Sequence, residues 1–205
     1  MRLSLFLGWF IMNIISKIPA IVFMVMMLVA GAGCIKGSDT SSLEYEISWL
    51  GTPPTESKAI EMKIAQEVSP YSGTKYSNVT LSASEDNDRI RIHAVAISPS
   101  FRYPDLYDFT YRDGKLIRLG YLLEAIPEPV RNEAIGIAVQ NYEISAAFEA
   151  GANAYGTPSV KRILPETAEK FYTPKTLLSV TWMDSSVSAL VDMDKRQVVE
   201  VWIGN

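Results

Sequence analysis

The tightest constraint on the fold lies between residues 107 and 121. There Tyr107, Phe109 and Tyr111 alternate with polar residues up to Asp113-Gly114, and the chain returns through 115–121. Asp-Gly between two alternating runs suits a two-residue turn whose central residues both take positive φ, so this stretch predicts a β-hairpin. A second hairpin is predicted upstream, where 78–84 (NVTLSAS) and 89–97 (RIRIHAVAI) alternate about the acidic turn Glu85-Asp-Asn-Asp88.

Helical periodicity brackets these strands. After Gly51-Thr-Pro-Pro54, a helix is predicted from an N-cap at Thr55, with Ile60, Met62, Ile64 and Val68 as its apolar face, ending before Pro70. Pro127-Glu-Pro129 starts a second helical pattern through Val130, Ala134, Ile137, Ala138 and Asn141. A shorter helix over 144–150 stops at Gly151. Four strands follow, at 159–164, 177–183, 187–193 and 197–203. Helix, hairpins, helix, hairpins is an α+β order: antiparallel sheets with helices packed on one face, in two similar small modules, 43–122 and 123–205. The shared order hints at a divergent duplication.

The first 34 residues differ in kind. They hold Arg2 and Lys17 as their only charges, so 17 of the 19 basic residues and all 23 acidic ones lie beyond Cys34, a formal charge of −6 there. That balance gives no basic face for phosphate, so nucleic acid is not an expected partner. Lys17 precedes an apolar run that ends in Gly31-Ala-Gly-Cys34. Basic, apolar, then small residues is the order of an export signal, and Met12 offers an alternative start. The small residues before the only cysteine resemble the end of a lipoprotein signal peptide, although Gly31 stands where that family usually has leucine. This resemblance implies lipidation at Cys34.

Two other readings of the leader are an uncleaved helix over 3–35, with Lys17 reaching the interface, and plain secretion. All three place the rest of the chain outside the cytoplasm, joined by a polar tether at 35–42 and anchored at the membrane in the first two.

Glu133-Ala-Ile-Gly-Ile-Ala138, Asn141, Ile144, Val180-Thr-Trp182, Ala189-Leu-Val-Asp-Met193 and Val198-Val-Glu-Val201 together resemble the PepSY-like family of exported domains, over 128–203. The resemblance implies a helix packed on a small antiparallel sheet and a noncatalytic role in binding peptides or restraining peptidases, with Asp192 its one matching polar position.

Catalytic patterns are weak. His93 is the only histidine, so any Ser-His-Asp arrangement must use it, and it reads as a half-buried strand residue in the row Arg91, His93, Val95, Ile97. Ser72-Gly-Thr-Lys75 has an S-x-x-K spacing without the companion motifs that chemistry needs. One histidine and one cysteine do not make a zinc site, and Glu85, Asp86 and Asp88 read as a solvated turn rather than a calcium loop. Asn78-Val-Thr80 matches the glycosylation triplet. No catalytic residue, metal or cofactor is expected.

A hydrolase using Asp184 with Asp192 or Asp194 is the rival reading, since paired carboxylates can serve as acid and base. A structural subunit of a surface assembly is the third. The aromatic group Tyr103, Tyr107, Phe109, Tyr111 and Tyr121, with Phe101 nearby, is the candidate binding surface, because tyrosine-rich strands often build contacts. A peptide or protein is the expected partner.

Overall fold

The computed structural model describes residues 45–151, 156–171 and 173–204. The leader, Cys34 and the tether lie outside the described residues. Residues 43–205 form one compact unit holding two sheets, so the fold is α+β. The first sheet has the order β1-β2-β3-β4-β5 and the second β6-β7-β8-β9.

In the first sheet, β2 (Asn78–Asp86), β3 (Arg89–Ile97), β4 (Asp105–Arg112) and β5 (Lys115–Leu123) form an antiparallel meander. Asp113 (φ 50°) and Gly114 (φ 70°) both take positive φ in the β4–β5 turn, as its sequence requires. One strand breaks the antiparallel expectation: β1 (Glu46–Trp49) runs parallel to β2, with Glu46 opposite Asn78 and Trp49 opposite Leu81. Parallel neighbours need a crossover connection, and helix α1 (Ser57–Glu67) supplies it. The Trp49 indole donates to Glu61 at 2.6 Å, and the Tyr45 hydroxyl to the Val68 carbonyl at 3.0 Å, tying strand to helix.

Helix α1 starts two residues later than Thr55, with no side-chain cap. Ile60, Ile64 and Val68 recur every fourth residue and are buried, whereas Met62 is 65% exposed. Two residues along a helix is about 200° of rotation, so Met62 cannot share the face of Ile60. The buried residues meet Val79, Leu81, Ile92, Tyr107 and Phe109 in the first core.

In the second sheet, β6 (Ser159–Ile163), β7 (Leu177–Trp182), β8 (Val187–Asp192) and β9 (Gln197–Ile203) form another antiparallel meander. Helices α2 (Glu128–Val139) and α3 (Tyr142–Glu149) cover one face, burying Ala134, Ile137, Ala138 and Ile144 against Val160, Val180, Ala189 and Val191. Pro129 sits in the first turn of α2, where its missing N–H costs nothing. Asn141 is not the end of that helix's apolar face. Its carboxamide accepts from the backbone N–H groups of Glu143 (2.9 Å) and Ile144 (3.4 Å), capping α3, a contribution of about 1 kcal/mol. Gly151, at φ 108°, follows the end of α3.

A short helix α4 (Pro165–Ala168) and the 3₁₀ turn Glu169–Phe171 were not legible in the sequence. They cover part of the other face of the second sheet, where Ala168 meets Leu177 and Leu190. The two sheets are not independent bodies, because Leu164, leading into α4, is buried in the first core, and Tyr71 packs against the second. Both meanders carry an irregular register in the last pair, at Leu119 in β5 and Val199 in β9. Among the described residues, no helix is long and apolar enough to cross a membrane.

Candidate functional site

The aromatic group does not form a surface. Tyr107 and Phe109 are 1% exposed and Tyr111 is 7% exposed, because alternate residues of β4 all face α1. Tyr121 is half-buried; its hydroxyl accepts from the Leu164 N–H at 3.1 Å, and the Arg118 guanidinium lies 5.9 Å from its ring centroid. Of this group only Tyr103 is exposed, with Arg102 and Arg131 each 5.4 Å from its ring centroid. Thus Tyr107, Phe109 and Tyr111 are core residues, and the expected contact patch reduces to Tyr103.

Their burial serves a polar network at the junction of the sheets. Arg162 on β6 is 5% exposed and reaches Asp105 on β4, itself 1% exposed, at 3.3 Å. The same guanidinium donates to the carbonyls of Ser69 (2.7 Å) and Pro70 (2.8 Å) and to the Tyr107 hydroxyl (3.2 Å). The Asp105 carboxylate also accepts from the Tyr76 hydroxyl at 2.5 Å and the Ala125 N–H at 2.8 Å. Burial pushes the Asp105 carboxyl above its ordinary range, against the opposing pull of these donors. Burial likewise raises the Tyr76 and Tyr107 phenols, which stay protonated and able to donate. A buried pair with all its partners in place fixes geometry.

The mouth of this junction is a cleft of about 730 Å³, lined among others by Tyr71, Arg118, Leu164, Glu166, Lys175 and Asp194. It continues along β5 into a groove of about 360 Å³ that shares Glu67, Arg118 and Glu166. Arg118 pairs with Glu166 at 3.1 Å and Glu67 at 3.9 Å. Lys175 bridges Asp192 at 2.7 Å and Asp194 at 3.1 Å.

That bridge bears on the carboxylate hydrolase. Burial alone would raise the Asp192 carboxyl, but the Lys175 ammonium and the Lys195 N–H at 3.0 Å outweigh it, so Asp192 titrates below the ordinary range. A general acid needs the opposite shift. Because the folded state holds Asp192 ionised, its contribution to stability is complete above the unfolded carboxyl range, near pH 4, and is lost as pH falls through the lower folded value. Urea midpoints measured from about pH 5 down to pH 2 should therefore fall more steeply for the native chain than for Asp192→Asn.

The register reveals one constellation that sequence spacing hides. Ser82, His93 and Asp108 stand opposite one another on β2, β3 and β4, and His93 Nδ1 lies 2.8 Å from an Asp108 oxygen. They line a shallow depression of about 280 Å³ on the face away from α1. Among the described residues no hydrogen bond joins Ser82 to His93. A nucleophile needs that bond to its base and a pair of N–H groups to hold the oxyanion, whereas the amides between these strands bond within the ladder.

The other sequence candidates resolve locally. Asp86 pairs with Arg89 and Arg91, each at 3.0 Å, and Asp88 with Arg112 at 2.5 Å, so these carboxylates neutralise strand arginines. Ser72 and Gly73 lie in a turn closed from Tyr71 to Thr74, whose hydroxyl donates to the Tyr71 carbonyl at 2.6 Å. Asn78 sits within β2 and accepts from Ser48 at 3.3 Å. No family model, curated protein or solved structure matches this chain.

Proposed function

We propose that the chain is an exported, membrane-anchored protein whose domain binds a peptide or protein outside the cytoplasm and carries out no reaction. The observation that carries the binding role is the cleft between the sheets, a concave site walled by Tyr71, Leu164 and paired charges over an Arg162 floor held by the Ser69 and Pro70 carbonyls. Sites of this size, with a few fixed polar groups on a rigid scaffold, suit ligand recognition. The leader supports the address, with Cys34 as the lipid acceptor, and the PepSY-like ending agrees with a noncatalytic role.

The test is crosslinking of the full-length protein in its native membrane, with mass analysis of its N-terminal peptide and of whatever is attached. A diacylated Cys34 with one dominant partner, lost when Tyr71→Ala and Leu164→Ala are introduced at the cleft wall, is the expected result. Turnover of any ester or amide substrate that disappears in His93→Ala would overturn the noncatalytic part. An unmodified leader would remove the lipid anchor.

A further inference from the structure

Strand β5 ends the first sheet, and its free edge opens on the groove. In a two-residue hairpin the residues flanking the turn, here Arg112 and Lys115, are the hydrogen-bonded pair, and bonding alternates from there. Ile117 therefore bonds inward to β4. The N–H and C=O of Leu116 and of Arg118 point out from the sheet. Among the described residues no hydrogen bond occupies these edge groups. Further along, the bulge at Leu119 and the Tyr121 contact with Leu164 close the edge. A short unpaired edge next to a cleft is a template for one more strand.

The two sides of that edge differ. Ile117 (54% exposed) and Leu119 (63% exposed) stand on the face away from α1. On the other side are Arg118 and its partners Glu67 and Glu166, whose side chains are 44% and 67% exposed. The charge of the cleft follows from its pairing. Arg162 pairs with Asp105, Lys175 with both Asp192 and the 83% exposed Asp194, and Arg118 with both Glu67 and Glu166, so these pairs hold three positive and five negative charges, two negative in excess.

Resting on the binding role proposed above, we infer that the ligand is an extended peptide that adds to β5 as a strand, with apolar side chains over Ile117 and Leu119 and basic ones toward Glu67 and Glu166. Alternating apolar and basic residues fix its register, because a slip of one residue would place every side chain on the wrong face.

The experiment titrates full-length protein in detergent micelles against a fluorescent, end-blocked hexapeptide of alternating valine and lysine, read by polarisation. Two N-methylated versions, each blocking a different alternate set of N–H groups, and a valine/glutamate version serve as comparisons. One N-methylated peptide should bind like the parent, and the other should bind about tenfold or more weakly, since an added strand uses only one set. Valine/glutamate should lose at least as much, and Glu67→Gln with Glu166→Gln should weaken the lysine peptide. Equal binding of both N-methylated forms would overturn strand addition while leaving the cleft a binding site. Equal binding of valine/glutamate would overturn the charge assignment. Absence of binding by every peptide, with a crosslinked partner still present in membranes, would overturn this inference alone. Dimerisation that excludes the lysine peptide from the protein would assign the edge to a second copy.

Discussion

Replacing Arg162 with methionine is expected to destabilise the domain by about 3–5 kcal/mol, because it leaves Asp105 buried without its counter-charge. The cost also includes the donors lost to the Ser69 and Pro70 carbonyls at the cleft and to the buried Tyr107 hydroxyl. Urea unfolding followed by tryptophan fluorescence measures it as a fall in midpoint. The loss has a pH signature. Without the guanidinium, the Asp105 carboxyl rises further above its ordinary range, so the variant recovers ground as acid protonates it. The gap from the native chain should be wide at pH 7 and should narrow as acid protonates Asp105. Adding Asp105→Leu should restore part of the stability at pH 7, since removing both charges of a buried pair costs less than removing one. A gap that is small and independent of pH would mean that the pair is not desolvated as the structure has it.

Phe109→Ala is expected to cost about 3–5 kcal/mol, the range for emptying a large buried aromatic site. Phe109 is 1% exposed and its ring stacks 6.0 Å from that of Tyr107. Collapse around the hole is restricted on one side by the sheet and on the other by α1. Tyr103→Ala, by contrast, removes only a ring flanked by two arginines and should cost under about 1 kcal/mol. Denaturant midpoints of the pair separate core from surface within what sequence presents as one aromatic group. Similar losses at the two positions would contradict the burial pattern.

That contrast shows where sequence stops being informative. Alternation along β4 puts Tyr107, Phe109 and Tyr111 on one side of a strand, and the Asp113-Gly114 turn sets the hairpin, both from local chemistry. Which side meets α1 depends on tertiary packing, so the same alternation is compatible with a contact surface and with a core. β1 is only four residues long, and nothing in it states that its partner lies beyond a helix in parallel. Helix α4 is a single turn, too short for any period. The Arg162 and Asp105 pair joins residues 57 apart with no motif between them. Ser82, His93 and Asp108 become neighbours only when strand register is known. The alternation Val160, Arg162, Leu164 was the one available hint, since an arginine in a row with apolar residues at a buried strand position demands a partner.

The order of events in folding follows from the same junction. Each meander closes through turns between consecutive strands, so its contacts are near in sequence and cheap in loop entropy. The bonds from Arg162 to β4 and to the Ser69-Pro70 turn can form only when two nearly complete sheets meet. Interactions made after the rate-limiting barrier leave the folding rate almost untouched and act on the rate of opening. Wherever proteases attack whatever opens, the junction then acts chiefly as a brake on unfolding, setting how long each molecule lasts rather than how readily it forms.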